Sequence, residues 1–415
     1  MSNIDGQSAS SGILTGVKVL DLTRVLAGPW CTQALADMGA TVYKVERPHT
    51  GDEMRNIPPY INALDGSAPP TSTCYAALNR GKQSVTIDIS HPAGQSLICD
   101  MAATCDVFVE NYKSGDLKRY GLDYESIKKN NPEIIYCSIT GYGPTGPMSS
   151  FPGYDPIFQA ITGMMNTCGI PDGQPGGGPQ RTTIPFTDIM TGMTATSAVL
   201  AALLHKNNGG GGQQLDIALL DVAMSALTPY GQTYLSKGKI ADRQGNASQL
   251  FAPSNRYRCA KDRYILVQIG NDGQWARMCS ALNLNSWFKD IRFEINSGRI
   301  ANSQELDARL SEILALWDVH ELAAVLSDAG VPCGAVNSLA EAFDLPQVKH
   351  RRIATEMNHP IYGAVPYVRS ALNFSKTPLQ SGLIPILGQH TDAVLKKELQ
   401  IGNHRLDELR QAGVI

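Results

Sequence analysis

Nowhere does the sequence carry a C-x-x-C pair, and none of its 9 cysteines has a histidine beside it at metal-ligand spacing. Neither a structural metal site nor a redox dithiol is indicated. Cys99 and Cys105 are the closest pair, six apart, and a disulfide framework is not expected in a chain of 415 residues. Scattered cysteines of this kind read as small buried hydrophobes in a reducing compartment. An excess of positive charge is also missing. The formal net charge is -3, which argues against nucleic acid or an anionic membrane as the main partner. A long hydrophobic run is absent as well. The most apolar stretch, Ile189 to Leu204, is short for a bilayer and rich in Thr, Ser and Gly. Residues 1–11 contain no basic or apolar run and read as a flexible N-terminus, not a targeting signal. A soluble, cytoplasmic protein is the expectation.

What is present is material for a large core. Residues of the hydrophobic class make up 43% of the chain, and its length favours two domains. The opening third alternates apolar β-branched runs with helical patterns. The runs are "VKVLDL" (17–22), "TVYKVE" (41–46), "SVTIDI" (84–89), "DVFVEN" (106–111) and "EIIYCSIT" (133–140). Helical patterns fall at 29–38, 91–104 and 124–130. This rhythm predicts βαβ units and an α/β fold on a parallel sheet buried on both faces. A long apolar helix from Asp188 to His205 follows a Gly/Pro-rich loop, and "QQLDIAL" (213–219) restores a strand. The texture changes near residue 230. The expected division is a large domain of 12–229 and 336–415, with "VPCGAVN" (331–337) and "VPYVRSALNF" (365–374) returning to it, and a smaller α+β domain of 230–335.

Ligand sites in such folds lie beyond the carboxyl ends of the strands. "GYGPTG" (141–146) matches G-x-G-x-x-G there, but Pro144 and Pro147 forbid the helix that a pyrophosphate site needs. An NAD site is therefore not expected. Cations gather at the same predicted rim: Lys44, Arg47, Arg80, Lys82 and Arg119. Each alone reads as a surface charge; together they suit a ligand with several phosphates. Asp188 opens the long helix. By pattern alone it reads as an N-cap; the functional alternative is a nucleophile held ionised by the helix end.

Several segments in order resemble the class III CoA-transferase family, the formyl-CoA and carnitine-CoA transferase (CaiB/BaiF-type) group. They are "GVKVLDLTRVLAGPWCTQALADMGATVYKVERPHTGD", "NRGKQSVTIDI", "CDVFVENYKSGDLKRYGLDY", "IIYCSITGYGPTGP", "PGYDPIFQAITGMM" and "FTDIMTGMTATSAVLAALLHK". The resemblance implies a Rossmann-like large domain built from both chain ends, a small middle domain and two interlocked subunits. It implies no metal, coenzyme A as part of an acyl-CoA substrate, and Asp188 as nucleophile. It places Leu26, Ala27, Arg47, Asn79, Arg80, Gly81, Lys82, Asn111, Tyr112, Lys113, Arg119, Thr140, Gly141, Tyr142 and Gly143 at the CoA site.

Two departures argue against formyl-CoA and oxalate as the substrates. Leu26 stands where formyl-CoA transferases carry a Gln, and their glycine-run loop has no counterpart after "GNAS" (245–248). Family members that use succinyl-CoA and short dicarboxylates are the better likeness. Arg181, seven residues before Asp188, is a candidate for the distal carboxylate of such an acid. The family also holds α-methylacyl-CoA racemases, whose "GHD" motif is here Gly153, Tyr154 and Asp155. A phenol ordinarily ionises near pH ~10, so Tyr154 suits a cavity wall better than a base. A racemase and a non-catalytic CoA-binding protein are the alternatives to a transferase.

Overall fold

A computed structural model describes residues 12–66 and 68–415; the expected flexible N-terminus, 1–11, lies outside the described residues. The chain forms two compact units. The larger runs up to Thr162 and takes Thr182–Gln232 and Arg351–Ile415, whereas the smaller takes Gly163–Arg181 and Thr233–His350.

The larger unit is organised by one parallel sheet. Its strands are β1 (Lys18–Asp21), β2 (Thr41–Glu46), β3 (Gln83–Thr86), β4 (Val107–Glu110), β5 (Ile135–Thr140) and β6 (Gln213–Ala218), in spatial order β3-β2-β1-β4-β5-β6. The registers Lys18↔Thr41, Val19↔Val107 and Ile135↔Gln213 fix which side chains share a face. Val19, Val42, Val107, Ile135 and Cys137 face a core that includes helices α1 (Ala27–Asp37) and α5 (Phe186–His205). Leu20, Tyr43, Phe108 and Tyr136 face the other core, covered by α2 (Pro92–Ala103), α3 (Tyr124–Asn130) and the C-terminal helices Thr391–Leu399 and Asn403–Gln411. Burial on both faces explains why these strands read as continuous apolar runs. Each such side chain contributes about 1.5–3 kcal/mol on leaving water. Helix α5, with its continuation to Gly210, is long and apolar enough to cross a membrane. Its Thr191, Gly192, Ala195 and Val199 face is buried against α1 and the sheet, as in a core helix.

The strand order reverses between β1 and β4. That reversal opens a crevice at the strand ends, where doubly wound sheets bind ligands.

In the smaller unit, Ser254–Arg258, Tyr264–Gln268 and Cys333–Ala335 make an antiparallel sheet. Ile265 and Val267 point into a core with Trp275, Phe293, Leu310 and Leu322, while Leu266 between them is exposed. The expectation that 331–337 returns to the large domain is not met; it clusters with the smaller unit. Cys333–Ala335 pairs with Tyr264–Gln268. Three residues ending a short loop suffice to complete the small sheet, and a sequence window cannot name a strand's partner. Only later does the chain return to the larger unit, where Ala354–His359 and Gly363–Val368 form a hairpin.

Candidate active site

Helix α5 opens with Phe186, and Asp188 is the third residue of its first turn, not its N-cap. The capping work is done from elsewhere. Helix α4 (Asp155–Ile161) begins with Asp155, whose Oδ2 accepts the N–H groups of Thr187 (2.7 Å) and Asp188 (3.1 Å). Two orphan amides of α5 are thereby satisfied. Gln159 Nε2 donates to Asp155 Oδ1 at 2.6 Å and fixes its carboxylate, which is buried. The Asp188 carboxyl is left with no capping role. Burial, and then the Asp155 charge beside it, push its pKa up to about 7.

Gly192, one turn further along α5, is where α1 makes contact. A Cβ there would lie 2.6 Å from the Ala27 carbonyl oxygen and 2.8 Å from Trp30 Cβ. Only glycine lets the two helices approach this closely, which brings the N-terminal turn of α1, with Leu26 and Ala27, alongside the start of α5. Among the described residues no side chain caps α1, and its first amides have no intrahelical or side-chain acceptor. The preceding turn is tightly tied. Val25 has φ 68, a strained value for a β-branched residue, and its N–H is held by Asp52 Oδ1 at 3.2 Å.

At the crevice between β1 and β4, the Asn111 carboxamide accepts the Arg24 N–H (2.8 Å) and donates to the Arg24 carbonyl (2.7 Å). The Arg24 guanidinium lies 4.8 Å over the Tyr112 ring. Arg24, Arg47, Tyr112, Arg119 and Tyr120 line a cavity of about 360 Å³. Glu46, Asp52, Glu53, Asp88 and Asp116 line it as well, and Arg24 is ion-paired with Glu53, so Arg47 and Arg119 are the guanidinium groups left to meet an anion beside the two aromatic rings. Arg24 was not singled out from the sequence. Its place just beyond the first strand was the available signal.

The expected rim of cations is smaller than the sequence suggests. Lys44 and Lys82 are completely buried. Lys82 Nζ donates to Thr32 Oγ1 (2.7 Å), Asn79 Oδ1 (2.9 Å), Asp21 Oδ2 (3.2 Å) and the Pro29 carbonyl (3.2 Å). Lys44 pairs with Asp52 at 2.9 Å and also bonds the Thr23 carbonyl. Arg80 sits 3.7 Å from Asp37 and stacks on Tyr367. Gly81, at φ 73, lies against Gly382. Lys82, held by Asn79, braces the turn before α1 through Asp21, Arg80 is tied to the last residue of α1, and neither cation offers an open charge to a phosphate. Their acidic partners are remote in sequence, so the pairing was not legible there.

"GYGPTG" is a self-contained turn. Gly143, at φ 84, donates its N–H to Thr140 Oγ1 (3.0 Å), and the Gly141 carbonyl accepts the Leu220 N–H. Tyr142 packs on Phe158, with ring centroids 5.0 Å apart. Lys113 and Thr140 line a second cavity of about 100 Å³ beside Glu110, apart from Arg47 and Arg119. Tyr154 is 72% exposed. Arg181 is exposed and clusters with the smaller unit. Among the described residues no group of three or more His, Cys, Asp or Glu is arranged to hold a metal.

A parallel sheet in Rossmann order, a cavity lined by charged and aromatic groups beyond its strand ends, and a half-buried carboxyl of raised pKa at a helix start make up the layout of an α/β enzyme. The sequence matches CoA-transferase family III over residues 14–391, and the chain belongs to that family. It is 40% identical to the succinate–glutarate CoA-transferase of Agrobacterium fabrum, over 92% of this chain and 94% of that one. The succinyl-CoA:glutarate CoA-transferase of Mus musculus is also 40% identical, over 97% of this chain and 90% of its own. Among solved structures, a CaiB/BaiF family protein from Brucella suis superposes with a TM-score of 0.84 at 38% identity, covering 94% of this chain and 100% of that one.

Proposed function

We propose that this enzyme moves CoA from succinyl-CoA to a short dicarboxylic acid, glutarate being the first candidate, through a covalent intermediate on Asp188. The observation that carries the proposal is the division of labour at the start of α5: Asp155 caps the helix, and Asp188 is left half-buried with no hydrogen bond to its carboxyl among the described residues. The substrates are those named for relatives that are 40% identical along nearly the whole chain.

In this mechanism the Asp188 carboxylate attacks the thioester carbonyl of the donor. A mixed anhydride forms, the C–S bond breaks and CoA leaves as thiolate. The thiolate then adds to the Asp188 acyl carbon, giving an aspartyl-CoA thioester and releasing succinate. The acceptor carboxylate attacks that thioester, and the sequence runs in reverse. Each step exchanges one acyl bond for another, so the thioester free energy is kept. A raised pKa makes Asp188 a better nucleophile once ionised, and burial keeps water from the anhydride. The oxyanions need preorganised donors. The Gly143 amide is already engaged, so the free amides at the start of α1 suit this role better. The phosphates of CoA would meet Arg47 and Arg119, with Arg24 and Tyr112 beside them.

We also propose that the two units act as separate domains and that the enzyme is a cytoplasmic homodimer. The larger unit leaves Ile157, Ile161, Ile184, Met193, Leu204 and Met224 each at least 46% exposed, apolar surface that a partner protomer would cover. Sedimentation at the monomer mass at micromolar concentration would remove the dimer.

Intact-protein mass spectrometry after mixing with succinyl-CoA, with hydroxylamine or borohydride trapping, tests the reaction. A modification at Asp188 that is missing from Asp188→Ala is the expected result. No labelling by any of a panel of acyl-CoA donors, together with α-proton exchange in deuterated water, would replace the transferase by a racemase.

A further inference from the structure

Glu110 ends β4 with its side chain 6% exposed, and it forms no ion pair among the described residues. Its Oε2 accepts the Tyr112 N–H at 2.8 Å. Ser138, the residue directly opposite it on β5, presents a hydroxyl that favours the carboxylate form. Between Glu110 and Tyr112 stands Asn111, whose side chain grips both backbone groups of Arg24. One buried carboxylate therefore anchors the turn whose Tyr112, with Arg24, forms a wall of the larger cavity.

We propose that Glu110 is a positioning residue for CoA: its carboxylate, acting through the Tyr112 amide and the Asn111–Arg24 clamp, holds the cavity wall in its binding shape, and protonation of that carboxylate weakens CoA binding. The inference rests on the reading of this cavity as the CoA site.

The physical basis is a difference between two forms of one hydrogen bond. An ionised acceptor makes a bond roughly twice as strong as a neutral one. Burial has pushed Glu110 up to about 7, so both forms are populated near neutrality. Around the smaller cavity it shares a lining with Lys113 and Lys118 beyond β4, Asp123 and Tyr124 at the start of α3, Tyr136 on β5 and Asp216 on β6. Of these, Asp216 is itself raised by burial and by Asp221. No charge among them compensates a Glu110 carboxylate.

The stability consequence has a definite sign. A folded-state pKa raised from 4.5 means that stability declines as pH rises from about 4.5 to about 7, then levels off. Retaining an acid here costs stability at neutral pH, where Gln would not, which is expected of a group kept for function.

The test is calorimetric titration of the full enzyme with CoA between pH 6 and 8, for wild type, Glu110→Gln and Ser138→Ala. Losing the charge-assisted part of one hydrogen bond corresponds to an affinity loss of about five- to tenfold. Wild type is expected to lose that factor as pH falls through about 7, over and above the slope from the phosphates of CoA. Glu110→Gln keeps only the phosphate slope, so the difference between the two profiles isolates Glu110. Ser138→Ala removes a bond that favours the carboxylate and moves the wild-type midpoint upward. Superimposable profiles for wild type and Glu110→Gln would overturn the inference. Absence of CoA binding by wild type at every pH would overturn the cavity reading and the inference with it.

Discussion

Asp188→Asn is expected to lower CoA transfer by at least about 10³-fold while making the protein more stable above pH 7. The two effects come from one cause. An amide cannot form the anhydride, so the covalent route closes and only binding remains. The carboxyl it replaces is half-buried beside Asp155, and both desolvation and that neighbouring charge disfavour its ionisation. Because the folded pKa is raised from 3.8 to about 7, the cost of ionisation is fully present above pH 7 and fades toward pH 4. Allowing for partial exposure, the gain at pH 8 is about 1–3 kcal/mol, read as a shift in denaturation midpoint. A capping Asp would behave in the opposite way, since losing a cap costs about 0.5–2 kcal/mol. The same raised pKa predicts that kcat/KM of wild type climbs with pH through about 7, where the free enzyme acquires its nucleophile. A variant that is inactive and destabilised would return Asp188 to a structural role.

How much of this was legible beforehand depended on whether the determinant was local. The apolar runs that became β1 to β6 were visible because burial on both faces leaves its mark on consecutive residues. Asp188 drew attention because a carboxylate at the start of an apolar helix is also local, and the family resemblance marked the position. What stayed hidden needed partners distant in sequence. Nothing near "FTDIM" says that residue 155 caps the helix, and nothing near "NRGK" says that Lys82 meets Asp21. Cys333–Ala335 could not announce that its partner strand was Tyr264–Gln268. Glycines followed the same rule. Gly192 looks like a flaw in a helix until Ala27 and Trp30 are seen against it. Function concentrated in the contacts that sequence windows do not span.

The Lys82–Asp21 pair makes that distinction measurable. A lysine on a phosphate-binding rim would, when removed, weaken CoA binding and leave folding intact, as Arg47→Ala should: about tenfold in CoA affinity, with little change in melting temperature. Lys82 is expected to do the reverse. It is completely buried, and it shares Asp21, Thr32 and Asn79 in one network beneath the turn that leads into α1. Lys82→Met strands a buried carboxylate, and Asp21→Asn strands a buried ammonium. Each single substitution is expected to cost about 3–5 kcal/mol. The double variant removes both charges together and should recover at least half of that loss, because a buried ion pair gains little net stability over neutral residues of similar volume. A cycle with no coupling, or a Lys82→Met protein of normal stability with poor CoA affinity, would put Lys82 back on the ligand. The coupled result would show instead that the charges beside the site exist to hold its backbone: the Thr23 to Gly28 turn, with Val25 at its strained φ, is fixed from below so that the first amides of α1 meet the substrate already in place.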